Sequence, residues 1–222
     1  MKKSLTIVSI FVLCVLLVFT SMPMFVAASK PGKPKGLKIT KYNDMYETVA
    51  VGLKEKTTTN YQLKVYNYKG VLKQKITIKT KKFFGASTYS KRFPYTIENI
   101  KAKQFYKITA RAYKTKNGKK IYSKYSKPVY ACQSFRCDLD WNSHTIYWNK
   151  IKGASRYIIK VAKSTEPNKY IKLATAKNNK YVLSDTIYKE LGKSFNAKII
   201  AQKKVKNKYY SSDAVATYLW HM

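Results

Sequence analysis

A chain of 222 residues has room for one large domain or two ordinary ones. It carries 45 Lys and Arg against 10 Asp and Glu, a formal charge of +35. Ten carboxylates and two histidines are a thin supply for paired-acid catalysis or a four-ligand metal site. No enzyme activity, cofactor or metal is therefore expected.

Residues 1–28 read as a secretory signal peptide. Lys2 and Lys3 precede the apolar run Leu5 to Phe19, and Val26 and Ala28 place small residues before a cleavage point. The alternatives are a retained membrane anchor or a lipid on Cys14. Pro23 interrupts the first, and Leu13 stands where the second has a small residue. Secretion is expected, with retention at a cell wall by charge and no transmembrane segment in the mature chain. Residues 29–36, SKPGKPKG, form a basic linker. A first β-sandwich is assigned to 37–131 and a second to 132–222.

Leu37 and Ile39 begin the first strand, and Tyr46 to Leu53 reads as the second, with Glu47 outward and Val49 and Val51 inward. Tyr61 to Tyr68 and Val71 to Lys79 follow as strands around the Lys69-Gly70 turn. Lys81 to Arg92 is an irregular loop or an edge strand. Ile100, Ala102, Gln104, Tyr106, Ile108, Ala110 and Ala112 then alternate, predicting one long strand. Asn117-Gly118 marks a hairpin tip. Ile121 to Tyr130 pairs back, with Pro128 at an edge or bulge.

Cys132 and Cys137 stand at the junction. An even pair in a secreted chain suggests a small disulfide-closed loop, and free thiols are the alternative. In the second copy Thr145 to Asn149 carries Trp148 inward. Tyr157, Ile159 and Val161 repeat the spacing of Tyr61, Leu63 and Val65. Ser184 to Leu191 has room for a helical turn. Phe195, Ala197, Ile199 and Ala201 repeat Tyr106, Ile108, Ala110 and Ala112. The expected core markers are Trp148, Tyr106, Tyr157 and Phe195.

The same hairpin is basic in both copies. It holds Lys114, Lys116, Lys119 and Lys120 in the first, and Lys203, Lys204, Lys206 and Lys208 in the second. Exposed lysines supply charge without a fixed donor pattern, which suits loose attachment to a polyanion. These eight are the candidate ligand-binding residues. The bland reading is that they are solubilising turns.

The late-strand run Ile100 to Ala112, Trp148, the phrase Gly153 to Ala162 and the ending Tyr125-Ser126-Lys127-Pro128-Val129 together resemble fibronectin type III domains. The likeness is to tandem members of secreted or surface proteins of Gram-positive bacteria. It implies an all-β fold of two immunoglobulin-like sandwiches and a spacer or binding role without chemistry. Two departures stand out: no tryptophan lies near Val51, and Phe195 replaces the tyrosine whose hydroxyl anchors a corner in this family.

The expected function is a non-catalytic surface module binding an anionic wall polymer or glycan. A structural spacer or assembly partner, with contacts to other surface proteins, is the second reading. An unspecific extracellular nucleic-acid binder is the third.

Overall fold

The structure is a computed structural model that describes residues 29–43, 47–53, 60–79 and 93–220. Residues 1–28, expected to be a signal peptide, the Lys81 to Arg92 segment and His221 lie outside the described residues. Two β-sandwiches follow one another. The first joins β1 (Lys38–Asn43), β2 (Thr48–Leu53) and β5 (Phe93–Ile97) in a three-stranded sheet. Against it lies a five-stranded sheet of β4 (Leu72–Ile78), β3 (Asn60–Tyr66), β6 (Tyr106–Lys116), β7 (Lys119–Tyr122) and β8 (Val129–Ala131). The second unit repeats the plan. Its three strands are β13 (Lys180–Val182), β10 (Thr145–Trp148) and β9 (Cys137–Asp140). Its five are β12 (Ile171–Ala176), β11 (Arg156–Lys163), β14 (Ser194–Val205), β15 (Lys208–Ser211) and β16 (Thr217–Trp220). All the strand pairs between named strands are antiparallel.

Alternation decides which side chains go inside. Val49 and Val51 of β2 meet Tyr61, Leu63 and Val65 of β3 and Ile108, Ala110 and Ala112 of β6 in one apolar cluster. With no tryptophan in this unit, Tyr61 and Tyr106 supply its aromatic bulk. In the second unit Trp148 is buried and its ring meets Tyr157 edge-on, with centroids 5.2 Å apart. The Tyr157 hydroxyl accepts from the Ile151 N–H at 2.9 Å. Phe195 is buried in the same cluster.

The two corners are satisfied differently. The Gln104 amide donates to the Tyr106 hydroxyl at 2.7 Å. Where Phe195 has no hydroxyl, a short helix α1 (Asp185–Leu191) precedes the strand instead. Ser184 caps its start, and the Gly192 N–H donates to the Tyr188 carbonyl at its end.

Three expectations are corrected. The long strand of the first unit starts at Tyr106, not Ile100. Asn99 and Lys103 have φ of 56° and 64°, so the backbone turns through a run whose side chains happen to alternate, and Ala102 is exposed. The closing strand expected over Ile121 to Tyr130 is broken in two, β7 and β8, and its counterpart in the second unit is likewise split into β15 and β16. At the breaks the serine hydroxyls of Ser123, Ser126 and Ser212 accept from the N–H groups of Ala112, Ala110 and Ala201. Pro128 lies immediately before β8.

The third correction is the disulfide. Cys132 and Cys137 are buried and not joined by a disulfide. Closing them needed a reversal of the chain, and residues 132–136 contain no turn or bend. Both side chains pack in the core of the second unit, as small hydrophobes. Burial pushes the Cys137 thiol up from 9.0 to about 11.

Candidate functional site

The two basic hairpins form, but the fold places them apart. In the first, Asn117 and Gly118 take φ of 50° and 72°, and Lys116 pairs with Lys119 across the tip. Lys119 and Lys120 are exposed, Lys114 is half-buried, and Lys120 lies 5.2 Å from the Tyr113 ring centre. In the second, Lys206 itself takes φ 54°, where glycine or asparagine sits more easily. Lys204, Lys206 and Lys208 are exposed. Lys203 is half-buried and turns toward the first unit, lining a groove with Tyr68, Phe105 and Tyr130.

That groove marks the junction. Phe105 precedes β6 yet is fully buried in the second unit's core cluster. Its N–H donates to the Lys152 carbonyl at 3.0 Å, and the Lys152 N–H donates to the Lys103 carbonyl at 2.9 Å. Gly153 takes φ 84°, and a Cβ built on it would lie 2.8 Å from the Tyr68 Cβ. Tyr130 and Tyr210 meet across the boundary with centroids 4.5 Å apart. Strand β6 runs from this junction to the first hairpin, so at about 3.3 Å per residue the two tips are separated by the order of 35 Å.

A stronger basic feature lies on the outer faces of the five-stranded sheets. Among the described residues, no Asp or Glu lies on any strand of either five-stranded sheet. In the second unit Lys160 of β11 stands directly opposite Lys172 of β12 on one side and Lys198 of β14 on the other. In the first, Lys64 of β3 stands opposite Lys75 of β4. Like charges in register destabilise a sheet, and no carboxylate on these strands offsets them.

Tyrosines hold several of the cations over their rings. Lys198 Nζ is 3.8 Å from the Tyr170 centroid and Lys107 Nζ is 4.4 Å from that of Tyr66. Arg111 stacks on Tyr122 at 3.5 Å and donates to Gln62 at 2.9 Å. Arg156 stacks on Tyr209 at 3.5 Å and donates to Gln202 at 2.7 Å. Such pairs orient cations without neutralising them. The lysine count was legible in the sequence; the ladder was not, because it depends on register between strands far apart in the chain.

The chemistry-bearing residues do not converge. Cys137 pairs with Trp148 at one end of β10, whereas His144 adjoins Thr145 at the other. His144 stacks on Tyr188 at 3.6 Å with its Nδ1 3.3 Å from Asp185. Asp140 caps its own turn: it accepts from the Ser143 hydroxyl at 2.7 Å, which holds its carboxyl below the usual range. Among the described residues no group of three or more His, Cys, Asp or Glu could hold a metal ion. No described helix is long and apolar enough to cross a membrane.

No protein-family model and no curated protein matches the sequence. Solved structures that align with it include two from chicken proteins. A two-domain fibronectin type III segment of chicken tenascin is 16% identical, over 85% of this chain and 99% of that one, at a TM-score of 0.36. The FN1–FN3 domains of chicken CNTN1 are 12% identical, over 86% of this chain and 67% of that one, at 0.31. By its own strand order, with a three-stranded sheet facing a five-stranded one in each unit, the chain is a tandem of two fibronectin type III-like β-sandwiches.

Proposed function

We propose that the chain is a non-catalytic extracellular module that attaches to an anionic wall polymer or glycan through the lysine-bearing outer faces of its five-stranded sheets. The observation that carries this is the Lys172–Lys160–Lys198 ladder on a sheet without one acidic residue. A ladder that opposes folding is explained by a ligand that neutralises it. The hairpin lysines, Lys114, Lys116, Lys119 and Lys120 with Lys203, Lys204, Lys206 and Lys208, extend the surface at two separate places.

Two variants of equal charge test it. One replaces Lys64, Lys75, Lys160, Lys172 and Lys198 with Gln. The other replaces Lys38, Lys101, Lys150, Lys180 and Lys189, which are exposed elsewhere. Binding to purified wall teichoic acid, heparin and single-stranded DNA is measured at several salt concentrations. The ladder variant should lose about tenfold or more, with a shallower salt slope, and the control distinctly less. Equal losses would reduce the attraction to net charge and remove the site. Preference for DNA over both other polymers would support the nucleic-acid reading instead.

The spacer reading draws on a different observation, the interlocked junction at Phe105 and Lys152. It predicts no saturable binding to any of the three polymers at physiological salt.

A further inference from the structure

We infer that the groove between the two units is a second, preformed site for one sugar unit bearing a single anionic group. This rests on the polyanion reading above and adds to it a defined subsite. The groove has a volume of about 230 Å³. That is below the roughly 300–1,000 Å³ of pockets for drug-sized ligands, and suits one monosaccharide. Lys69, Lys107 and Lys203 line it from three segments, two in the first unit and one in the second, and no carboxylate is among the described residues that line it. Tyr68 and Tyr130 supply aromatic walls, and buried Phe105 supplies the floor. Three cations around aromatic surface recognise an anionic group joined to a ring whose C–H face can stack.

The groove is held open by the junction itself. The bonds between Lys103, Lys152 and Phe105 fix the approach of the units, and the Tyr130–Tyr210 contact fixes one wall. Gly153 lets the Tyr68 wall approach: a Cβ there would stand 2.8 Å from the Tyr68 Cβ, and only at ordinary contact distance from Lys203 Nζ. No ordering of the chain is then needed on binding, and preorganisation of this kind favours weak small ligands most.

The test uses the full chain, labelled with nitrogen-15, titrated with N-acetylglucosamine 6-phosphate, glucuronic acid, neutral N-acetylglucosamine and inorganic phosphate. Saturable shifts should centre on the amides of Lys69, Gly70, Lys107 and Gly153. The stronger of the two acidic sugars identifies phosphate or carboxylate as the preferred group. The neutral sugar should bind about tenfold more weakly, as expected for loss of charge-assisted hydrogen bonds. Lys203→Gln and, separately, Lys69→Gln should weaken the acidic sugar severalfold. Shifts spread over all lysines alike, or affinities unchanged by both variants, would overturn the site. Equal affinity for inorganic phosphate would overturn the sugar class. Polymer binding by the unaltered chain without junction shifts sinks the groove alone; loss of both sinks the wider reading as well.

Discussion

Phe105 belongs to one unit by sequence and to the other by burial. Truncating it should therefore destabilise a core that it does not precede by pattern. Phe105→Ala is expected to cost about 3–5 kcal/mol, as buried aromatic truncations do. The reporter is convenient, because Trp141, Trp148 and Trp220 all lie in the second unit. Tryptophan fluorescence during urea unfolding should shift to lower denaturant for Phe105→Ala, as it should for Trp148→Ala. An unshifted tryptophan transition in the first variant would separate the two cores. The cysteines make a second prediction at this scale. Intact mass should show no alkylation of the folded chain at neutral pH, and a label on both Cys132 and Cys137 after denaturation without reductant. Failure to label in denaturant would mean a disulfide. The pH sign follows from burial: a thiol held neutral up to about 11 when folded, against 9.0 ordinarily, leaves stability untouched below pH 9 and erodes it between about 9 and 11. Cys137→Ala should lose less stability over that interval, measured by thermal melting.

At the scale of elements, β6 and β14 are the long central strands, and each is closed by a broken partner. The break is chemically the same in both units. Ser123 and Ser212 each donate from the backbone to Ala112 or Ala201 and accept on the hydroxyl from the N–H of that same alanine. Ser212→Ala leaves a buried N–H without its acceptor and should cost about 1–3 kcal/mol. Ser211→Ala, one residue earlier and exposed, should cost much less; equal costs in chemical denaturation would count against the serine's role. The repeat of Tyr106 to Ala112 in Phe195 to Ala201 was legible because alternation survives in the residue types. So was the Asn117-Gly118 turn, whose backbone demands those residues. The start of β6 misled because alternating side chains at Ile100, Ala102 and Gln104 say nothing about φ at Lys103. The broken closing strands and the Phe105 lock were hidden for a related reason: their partners are distant in sequence, and no local pattern encodes them. The lysine ladder is the same case, since composition gives the charge and only register gives the row.

On the scale of the whole molecule, charge is divided by sheet. The described acidic residues sit on β9, on α1 and in connecting segments, while the strands of both five-stranded sheets carry none. A chain at +35 repels itself, and the ladder concentrates that repulsion where Lys172, Lys160 and Lys198 face one another. Salt and ligand should therefore act on stability in distinguishable ways. Screening shortens to about 10 Å at 0.1 M ionic strength, so melting temperature without ligand should rise from low to moderate salt. Lys160→Gln removes the middle of the row and should stabilise the second unit by about 0.2–1 kcal/mol at low salt. The gain should shrink as salt rises. A long polyanion at low salt should raise the melting temperature further in the unaltered chain, because binding to the folded state alone adds stability through linkage. In the five-residue ladder variant that rise should be smaller, although the variant starts out more stable. Opposite signs for stability and binding from the same substitutions are what a functional charge row predicts. A solubilising row predicts the stability gain without the loss of ligand response, and thermal melts of the two chains with and without heparin separate the cases.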